Sequence, residues 1–549
     1  MTADNTRLQV LWDRLLAVVE EQGQILVRAA FSPIVRECGD ISAGIFDAEG
    51  RMLAQAVTGT PGHVNTMAMA VKSLRARFPA QHMRPGDIYM TNDPWIASGH
   101  LNDFLLMMPI IHAGRLVGFT SCTSHLVDLG GQGMGPEGSD IQDEGLLIPP
   151  CRLVAAGKVN DLLLDIVKAN SREPIANEGD IYALIACCEA GAARVCRTMD
   201  EFGLTDFREL SRYIVETSRR GTLDIIAELP KGTWNSAMTV DGYDRPLTLR
   251  AALTIAEDHV LVDFAGTDPC AAKGINVPLN YATAYTVFAL RCIIGPDIPN
   301  NDGSLEPFQV TGPPGCILNA RPPSPVAMRH TLGQMTPDLV FGCLAQALPD
   351  LVPAEGASCM YDLPLRHAPE AAARGDVQFA LELVFNGGTG ARPTRDGLSA
   401  TAFPSGVWGS QVETTESVAP VLFHRRELRR DSGGPGRMRG GLGQRIEVSP
   451  ALNQDMILFL SVERVRNPAR GRSEGLAGAP GRIRVGEEGP DLAGKGEVRI
   501  RPGERLIFET PGGGGFGAPD QRPPAMLESD VQAGFVSPGA ARLVYGRSP

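Results

Sequence analysis

Residues 91–131 read TNDPWIASGHLNDFLLMMPIIHAGRLVGFTSCTSHLVDLGG, and this stretch decides how the rest of the chain is read. Two apolar runs, 104–111 and 116–123, flank the four residues His112-Ala113-Gly114-Arg115. Apolar, β-rich runs joined by a short glycine-containing turn predict a hairpin. With the turn centred between Ala113 and Gly114, Asp103 falls opposite Ser124. The flanks carry two His-x-x-Asp pairs, His100 with Asp103 and His125 with Asp128. His100, Asp103 and His125 then meet at one end of a rigid ribbon. Imidazole nitrogens and carboxylate oxygens that converge there suit a divalent metal. The spacing is neither a zinc-finger pattern nor HExxH. On the residues alone, a metal site and a set of satisfied polar side chains both stay open.

Working outward, Leu8, Leu11, Trp12, Leu15, Val18, Val19, Ile25 and Leu26 recur at three- and four-residue steps. They predict an amphipathic helix over 6–31, stopped by Ser32-Pro33. Strands are expected at 41–46 and 51–57, around the turn Asp47-Ala48-Glu49-Gly50. Asp40 stands at the mouth of the first, as Asp103 does at its own. A fourth ligand and an aspartate bonding local amides are its two readings. A helix is expected at 64–78, capped near Asn65 or Thr66. His63 lies just before it; lining the same site and a hydrogen bond at the helix start are its two readings, with the second favoured.

Beyond the hairpin, Gly133-x-Gly135-x-x-Gly138 spells a dinucleotide fingerprint. Ser-Asp-Ile-Gln-Asp follows it instead of an apolar helix, and no βαβ unit surrounds it, so a glycine-rich active-site loop is expected. Helices are expected at 161–169, 178–202 and 206–228, punctuated by Pro174 and Gly203. From 232 onward alternating apolar and polar residues predict strands, with buried helices at 280–294 and 336–348. Residues 360–520 read as β-rich with Gly/Pro loops. Arg425, Arg426, Arg429 and Arg430 predict a solvated or interface patch. PGGGGFG at 511–517 lacks the Gly-Lys-Ser/Thr of a phosphate loop, and no GxSxG elbow occurs. The expected fold class is α+β in a mixed multi-domain chain: a helical and β-hairpin N-terminal metal-binding domain (1–230), a mixed middle domain (231–355) and a β-rich, Gly/Pro-rich C-terminal domain (356–549).

The 549 residues, 43% of them hydrophobic, can fill several cores. A net charge of −12 argues against nucleic acid or an anionic membrane as partner. Eleven cysteines, an odd number, include no CxxC, and Cys187-Cys188 are adjacent. With no apolar run of membrane length and no signal peptide, a reduced, cytoplasmic protein is expected.

Five segments carry a family resemblance: SPIVRECGDISAGIFD (32–47), NDPWIASGHLNDFLLM (92–107), SHLVDLGG (124–131), DSGGPGRMRGGLG (431–443) and TPGGGGFG (510–517). In this order they resemble the hydantoinase B/oxoprolinase family. Its members are components of N-methylhydantoinases, 5-oxoprolinases and caprolactamases, and the large subunits of acetone and acetophenone carboxylases are related. The resemblance implies a partner of the hydantoinase A type, an ATPase that phosphorylates the substrate oxygen, with ATP and Mg²⁺ bound there and not here. It implies one divalent ion here, Zn²⁺ or Mn²⁺, held by Asp40, His100, Asp103 and His125. Asp128 then fits a catalytic carboxylate that orients His125 or accepts a proton from water. The implied activity is hydrolysis of a phosphorylated cyclic amide by a hetero-oligomer. The alternatives are a ketone carboxylase subunit and a scaffold with a structural metal. The resemblance assigns His330 no role.

Overall fold

The computed structural model describes residues 3–57 and 60–547. Helices α1 (Ala3–Ala29) and α2 (Pro33–Arg36) lead into strands β1 (Ile41–Asp47) and β2 (Met52–Gln55). Helix α3 (Pro61–Arg77) precedes β3 (Ile88–Thr91), the hairpin β4 (Asp103–His112) and β5 (Arg115–His125), and the short pair β6 (Cys151–Ala155) and β7 (Lys158–Val159). These strands make one antiparallel sheet in the order β2-β1-β5-β4-β3-β6-β7, with the hairpin at its centre.

Ala113 and Gly114 both take positive φ, the left-handed pair that a two-residue hairpin turn needs. A bulge between Ile110 and Ile111 then shifts the register by one, so Asp103 lies opposite His125 and not Ser124. The one-residue slip brings these two side chains onto a single face.

Both faces of the sheet are covered. Ile41, Ala43, Ile45, Phe104 and Leu106 share a core with Leu15 and Val19 of α1. The same core takes Leu184 and Cys188 of α5 (Pro174–Phe202), which follows α4 (Asp161–Ala169) and precedes α6 (Arg208–Glu228). The alternate residues Phe46, Leu105, Met107 and Phe119 pack on Met67, Val71 and Leu74 of α3. Burial on both sides is why these strands read as near-continuous apolar runs. Each fully buried Leu or Phe contributes roughly 1.5–3 kcal/mol. Helix α3 starts earlier than its apolar pattern, because Thr60 caps it and Pro61 takes the first helical position. The cap is therefore not at Asn65 or Thr66, and His63 sits in the first turn. Pro174 opens α5, so that helix starts ahead of the expected 178.

A second sheet, ordered β11-β10-β9-β8, holds β8 (Gly232–Val240), β9 (Leu247–Ile255), β10 (Val260–Asp263) and β11 (Phe308–Thr311). Helix α7 (Leu279–Ile293), the single turns α8 (Asp302–Leu305) and α9 (His330–Gly333), and α10 (Thr336–Ala347) complete this region. Beyond it, β12 (Tyr361–His367), β13 (Ala380–Phe385), β14 (Val421–Leu428), β15 (Gln444–Pro450), β16 (Met456–Ser461), β17 (Arg482–Val485), β18 (Lys495–Ile500) and β19 (Leu506–Glu509) form two four-stranded sheets. Leu363, Leu383, Phe385, Val448, Leu458 and Phe508 from both sheets share one core. Helices and several sheets together make the fold α+β.

The glycine runs of this last region lie outside the sheets. A Cβ on Gly440 would sit 1.9 Å from Gly513 O, and one on Gly513 would sit 2.0 Å from Thr389 O. Only glycine lets these chains approach so closely. The amides of 511–517 are already used: Gly513 donates to Gly441 O (3.0 Å), Gly514 to Glu355 O (2.8 Å) and Gly515 to Leu476 O (2.9 Å). Among the described residues no helix is long and apolar enough to cross a membrane. All eleven cysteines are unpaired, with Cys122 and Cys188 Sγ 3.4 Å apart.

Candidate metal centre

Five side chains from four elements converge beside the mouth of the hairpin. Gly39, at positive φ, turns the chain so that Asp40 precedes β1. The Thr60 cap aims His63 from the first turn of α3. Gly99, also at positive φ, sets His100 before β4, while Asp103 begins β4 and His125 ends β5. Asn102 and Leu126 clamp the ribbon's mouth: Leu126 N donates to Asn102 O and Asn102 Nδ2 to Leu126 O, both at 2.8 Å. Asn92 braces it from below, donating to Leu101 O and Leu146 O.

Asp103 is the hub. Its Oδ1 lies 2.8 Å from His100 Nε2 and 3.3 Å from His125 Nδ1. Its Oδ2 lies 2.9 Å from His63 Nε2 and 2.6 Å from Arg329 Nη2. Asp40 reaches His63 Nδ1 at 3.3 Å and His125 Nδ1 at 3.9 Å. Two triads, His100–Asp103–His125 and Asp40–His63–Asp103, each bring three possible ligand atoms close together. His100 and Asp103 are wholly buried, whereas Asp40 keeps 7% exposure and forms the open edge.

The outer partners of the two hairpin histidines fix their tautomers. His100 Nδ1–H donates to Ala327 O at 3.1 Å, so Nε2 turns inward. His125 Nε2–H donates to Glu382 Oε1 at 2.9 Å, so Nδ1 turns inward. Both inward nitrogens face Asp103 Oδ1. Such outer-partner hydrogen bonds are what orient metal-binding imidazoles. Burial, then Arg329, pushes His100 down to about 3, so its Nε2 offers a lone pair. A lone pair held 2.8 Å from a carboxylate oxygen calls for a cation between them. Accordingly Asp40 Oδ1, both ring nitrogens of His63 and His100 Nε2 are buried without a hydrogen-bond partner.

The charge balance agrees. Asp362 joins Asp40, Asp103 and Glu382 in this interior, and burial, then Glu382, pushes it well above the usual carboxylate range. With Asp40, Asp103 and Glu382 counted as carboxylates and the histidines neutral, three negative charges face the single guanidinium of Arg329. Burial opposes protonation of His125 and His63, yet neighbouring carboxylates outweigh it and raise both. A divalent cation answers the same excess of two charges. Burial opposes ionisation of Asp103 too, but His100, His63 and Arg329 hold it well below its usual range.

The hydantoinase B/oxoprolinase model matches residues 4–519, nearly the whole chain. The chain belongs to the hydantoinase B/oxoprolinase family. An uncharacterized protein of Methanocaldococcus jannaschii is 30% identical, over 99% of this chain and 96% of its own. The caprolactamase subunit beta of Pseudomonas jessenii is 29% identical, over 99% of this chain and 96% of that subunit. The crystal structure of the ATP-dependent caprolactamase from Pseudomonas jessenii superposes with a TM-score of 0.90 at 27% identity, covering 100% of this chain and 96% of that one.

In this family member the structure brings Asp40, His100, Asp103 and His125 together, and it adds His63 to them. His63 does both things expected of it: its N donates to Thr60 Oγ1 at 3.3 Å at the helix start, and its ring nitrogens face Asp40 and Asp103. Asp128 is a correction. Its Oδ1 accepts from Arg172 Nη1 and its Oδ2 from Arg172 N, each at 2.6 Å, and Oδ2 also accepts from Gly130 N at 3.3 Å. It organises its own loop, and Glu382 orients His125 in its place. Glu382 comes from β13, 257 residues away, and no local spacing announces it. No motif in the sequence singles out Arg329, which pairs with Asp103. His330 is buried beside the cluster with neither ring nitrogen hydrogen-bonded, 3.7 Å from Asp362. The loop after the hairpin acts through Glu144, whose Oε1 accepts from Val326 N and Ala327 N and so positions the carbonyl that holds His100.

A cavity of about 730 Å³ is lined by residues that flank two of these side chains. Gly39 and Ile41, on either side of Asp40, line it, as do Pro61 and Val64, on either side of His63. Phe288 and Trp408 add aromatic surface.

Proposed function

We propose that this chain is the metal-binding component of an ATP-dependent cyclic amidase, acting on a ring amide that a partner ATPase has phosphorylated. The observation that carries the reading is the pair of inward nitrogens, His100 Nε2 and His125 Nδ1, aimed at Asp103 Oδ1 inside a pocket with excess negative charge. An unactivated amide resists hydrolysis through resonance, and phosphorylation of its oxygen supplies a leaving group. A divalent ion, Zn²⁺ or Mn²⁺, would be held by Asp40, His100, Asp103 and His125, with His63 adjoining, and supplies Lewis-acid charge toward water and the departing phosphate. Arg329 occupies Asp103 Oδ2, which favours a single ion on Oδ1. Asp40, whose neighbours Gly39 and Ile41 line the cavity, is the edge at which water and the ring would enter. Phe288, Val64 and Ile41 present an apolar wall that keeps bulk water from the activated ring.

The partner is part of the proposal. The sequence offers no phosphate loop, and the amides of 511–517 are occupied. The relative named subunit beta supports a two-component enzyme here as well. The test is co-purification with an ATPase partner and an ATPase screen over lactams, hydantoins and ketones, with and without bicarbonate. Ring-amide-dependent ATP hydrolysis that ignores bicarbonate is expected. Ketone-dependent hydrolysis that requires bicarbonate refutes the amidase and favours the carboxylase. Unchanged turnover after metal removal refutes the proposed centre.

A further inference from the structure

The cavity beside Asp40 carries a carboxamide relay that the proposed chemistry leaves unused. Asn65, one half-turn after His63 on α3, donates from Nδ2 to Ala284 O at 3.0 Å. A main-chain carbonyl can only accept, so this bond fixes which way the Asn65 amide points. Asn65 Oδ1 then faces Asn300, which must donate, and does so from Nδ2 at 3.1 Å. The same Asn300 Nδ2 donates to Gln55 Oε1 at 3.0 Å. Every amide in the row is oriented by the one before it. Two polar groups remain over, Asn300 Oδ1, an acceptor, and Gln55 Nε2, a donor. Neither has a partner among the described residues, and both residues line the cavity.

An acceptor beside a donor is the complement of one particular ligand edge. A ring amide is locked cis, so its N–H and C=O point to the same side, where an open-chain amide holds them apart. Most of the rest of the wall suits an uncharged ring, the exposed Asp297 being its one carboxylate. Its guanidinium, Arg291, is committed to the main-chain carbonyls of Ile294 (3.0 Å) and Ile298. Ile41, Val64, Phe288 and Trp408 supply apolar and aromatic surface.

We propose that Asn300 Oδ1 and Gln55 Nε2, held in register by Asn65, form a subsite that reads the cis N–H/C=O edge of a cyclic amide before the partner phosphorylates the ring oxygen. This rests on the cyclic-amidase reading and names how the ring is recognised. The ring N–H donates to Asn300 Oδ1, and the ring C=O accepts from Gln55 Nε2. A lactone of the same shape has no N–H and turns an oxygen lone pair toward Asn300 Oδ1, so it is excluded. Sites built to pair a donor reject the analogue that lacks it far more strongly than apolar pockets reject a change of size.

The test uses the metal-loaded, full-length chain and ligand-observed NMR titration. The probes are 2-pyrrolidone and γ-butyrolactone, which differ only in N–H against O. The variants are Gln55→Glu, which keeps Oε1 for Asn300 but loses the donor, and Gln55→Leu. The wild-type chain is expected to bind the lactam roughly ten-fold or more tightly than the lactone. Gln55→Glu is expected to bind the lactam about ten-fold more weakly than wild type while keeping its metal content and unfolding midpoint. Equal binding of both probes to wild type overturns the proposal, as does wild-type lactam affinity in Gln55→Glu and Gln55→Leu, or failure of the wild-type chain to bind the lactam. If lactam binding discriminates as expected but no ring amide is opened with the ATPase partner, the amidase reading fails and the subsite stands.

Discussion

Replacing Glu382 with glutamine tests whether the outer partner of His125 tunes the metal centre. Glu382 Oε1 accepts from His125 Nε2–H at 2.9 Å, and the side chains are only 3% and 2% exposed. Loss of such a partner typically weakens metal affinity about 10–100-fold, or roughly 1.4–2.7 kcal/mol. Glutamine keeps an oxygen that can accept the same hydrogen bond, so orientation survives and only the charge is lost. The lower end of the range, about ten-fold, is therefore expected for Glu382→Gln. Glu382→Ala loses charge and orientation together and leaves His125 Nε2–H buried without an acceptor, so about 100-fold is expected. The assay is competition for Zn²⁺ or Mn²⁺ against a chromophoric chelator at neutral pH, with circular dichroism to show a native fold. Dissociation constants within about two-fold of wild type in both variants would show that Glu382 does not tune the site.

A His100→Ala, His125→Ala double variant should lose its divalent ion by elemental analysis, and metal content equal to wild type would remove the site. Metal binding should strengthen as pH rises: carboxylates raise His125 above its usual range, its proton must leave when a cation takes Nδ1, and the affinity should fall about ten-fold per pH unit for each proton displaced below that raised value. A chelator titration across pH 6–8 that gives a flat affinity contradicts this. Asp128→Asn should leave metal affinity within about two-fold of wild type but lower stability by roughly 1–3 kcal/mol, because it loosens Arg172 and not His125. Burial, set against the Ala327 and Val326 amides, pushes Glu144 up from 4.5 to about 8. The folded state therefore binds the extra proton between those values, and stability should fall as pH rises across that window. Glu144→Gln should flatten that fall in urea titrations, and an unaltered slope would clear Glu144 of the effect.

The hairpin was legible because its pattern is local. Apolar runs, a turn of the Ala-Gly kind and paired His-x-x-Asp flanks lie within about forty residues, and strand pairing does the rest. The register was misread by one residue because a bulge at Ile110–Ile111 leaves no mark in the apolar pattern. Asp40 could be suspected from its place at a strand mouth, and the family resemblance raised it to a ligand. His63 is less legible for a different reason. Its role depends on a cap at Thr60 that rotates the first turn of α3 toward Asp103. Glu382 was out of reach altogether. It sits on a strand that pairs with β12 in a sandwich sheet, and only tertiary packing carries it to His125. Asp128 shows the opposite error, since a matched spacing suggested a shared role that the nearby Arg172 had already taken.

The two kinds of glycine in this chain separate structure from site in the same way. Gly39 and Gly99 take positive φ at the two turns that aim Asp40 and His100, so they serve the centre by backbone conformation. Gly440, Gly512 and Gly513 have no such φ, and what they supply is the absence of a side chain. A Cβ on Gly512 would lie 1.8 Å from Ser432 O. Extended segments at 387–390, 431–443, 471–478 and 511–517 thus approach backbone to backbone and exchange hydrogen bonds outside any sheet. An anion-binding loop needs free amide hydrogens, and here they point at carbonyls of neighbouring segments. The same packing ties Gly514 to Glu355, whose carboxylate also holds the buried Arg464 at 3.0 Å. Arg464 pairs in turn with Asp338 of α10 at 2.8 Å. The glycine segments therefore anchor the C-terminal sheets to α10, and β12 and β13 of those sheets carry Asp362 and Glu382. The motif that looked most like a ligand loop is thus tied to the candidate metal centre through the elements that carry Asp362 and Glu382.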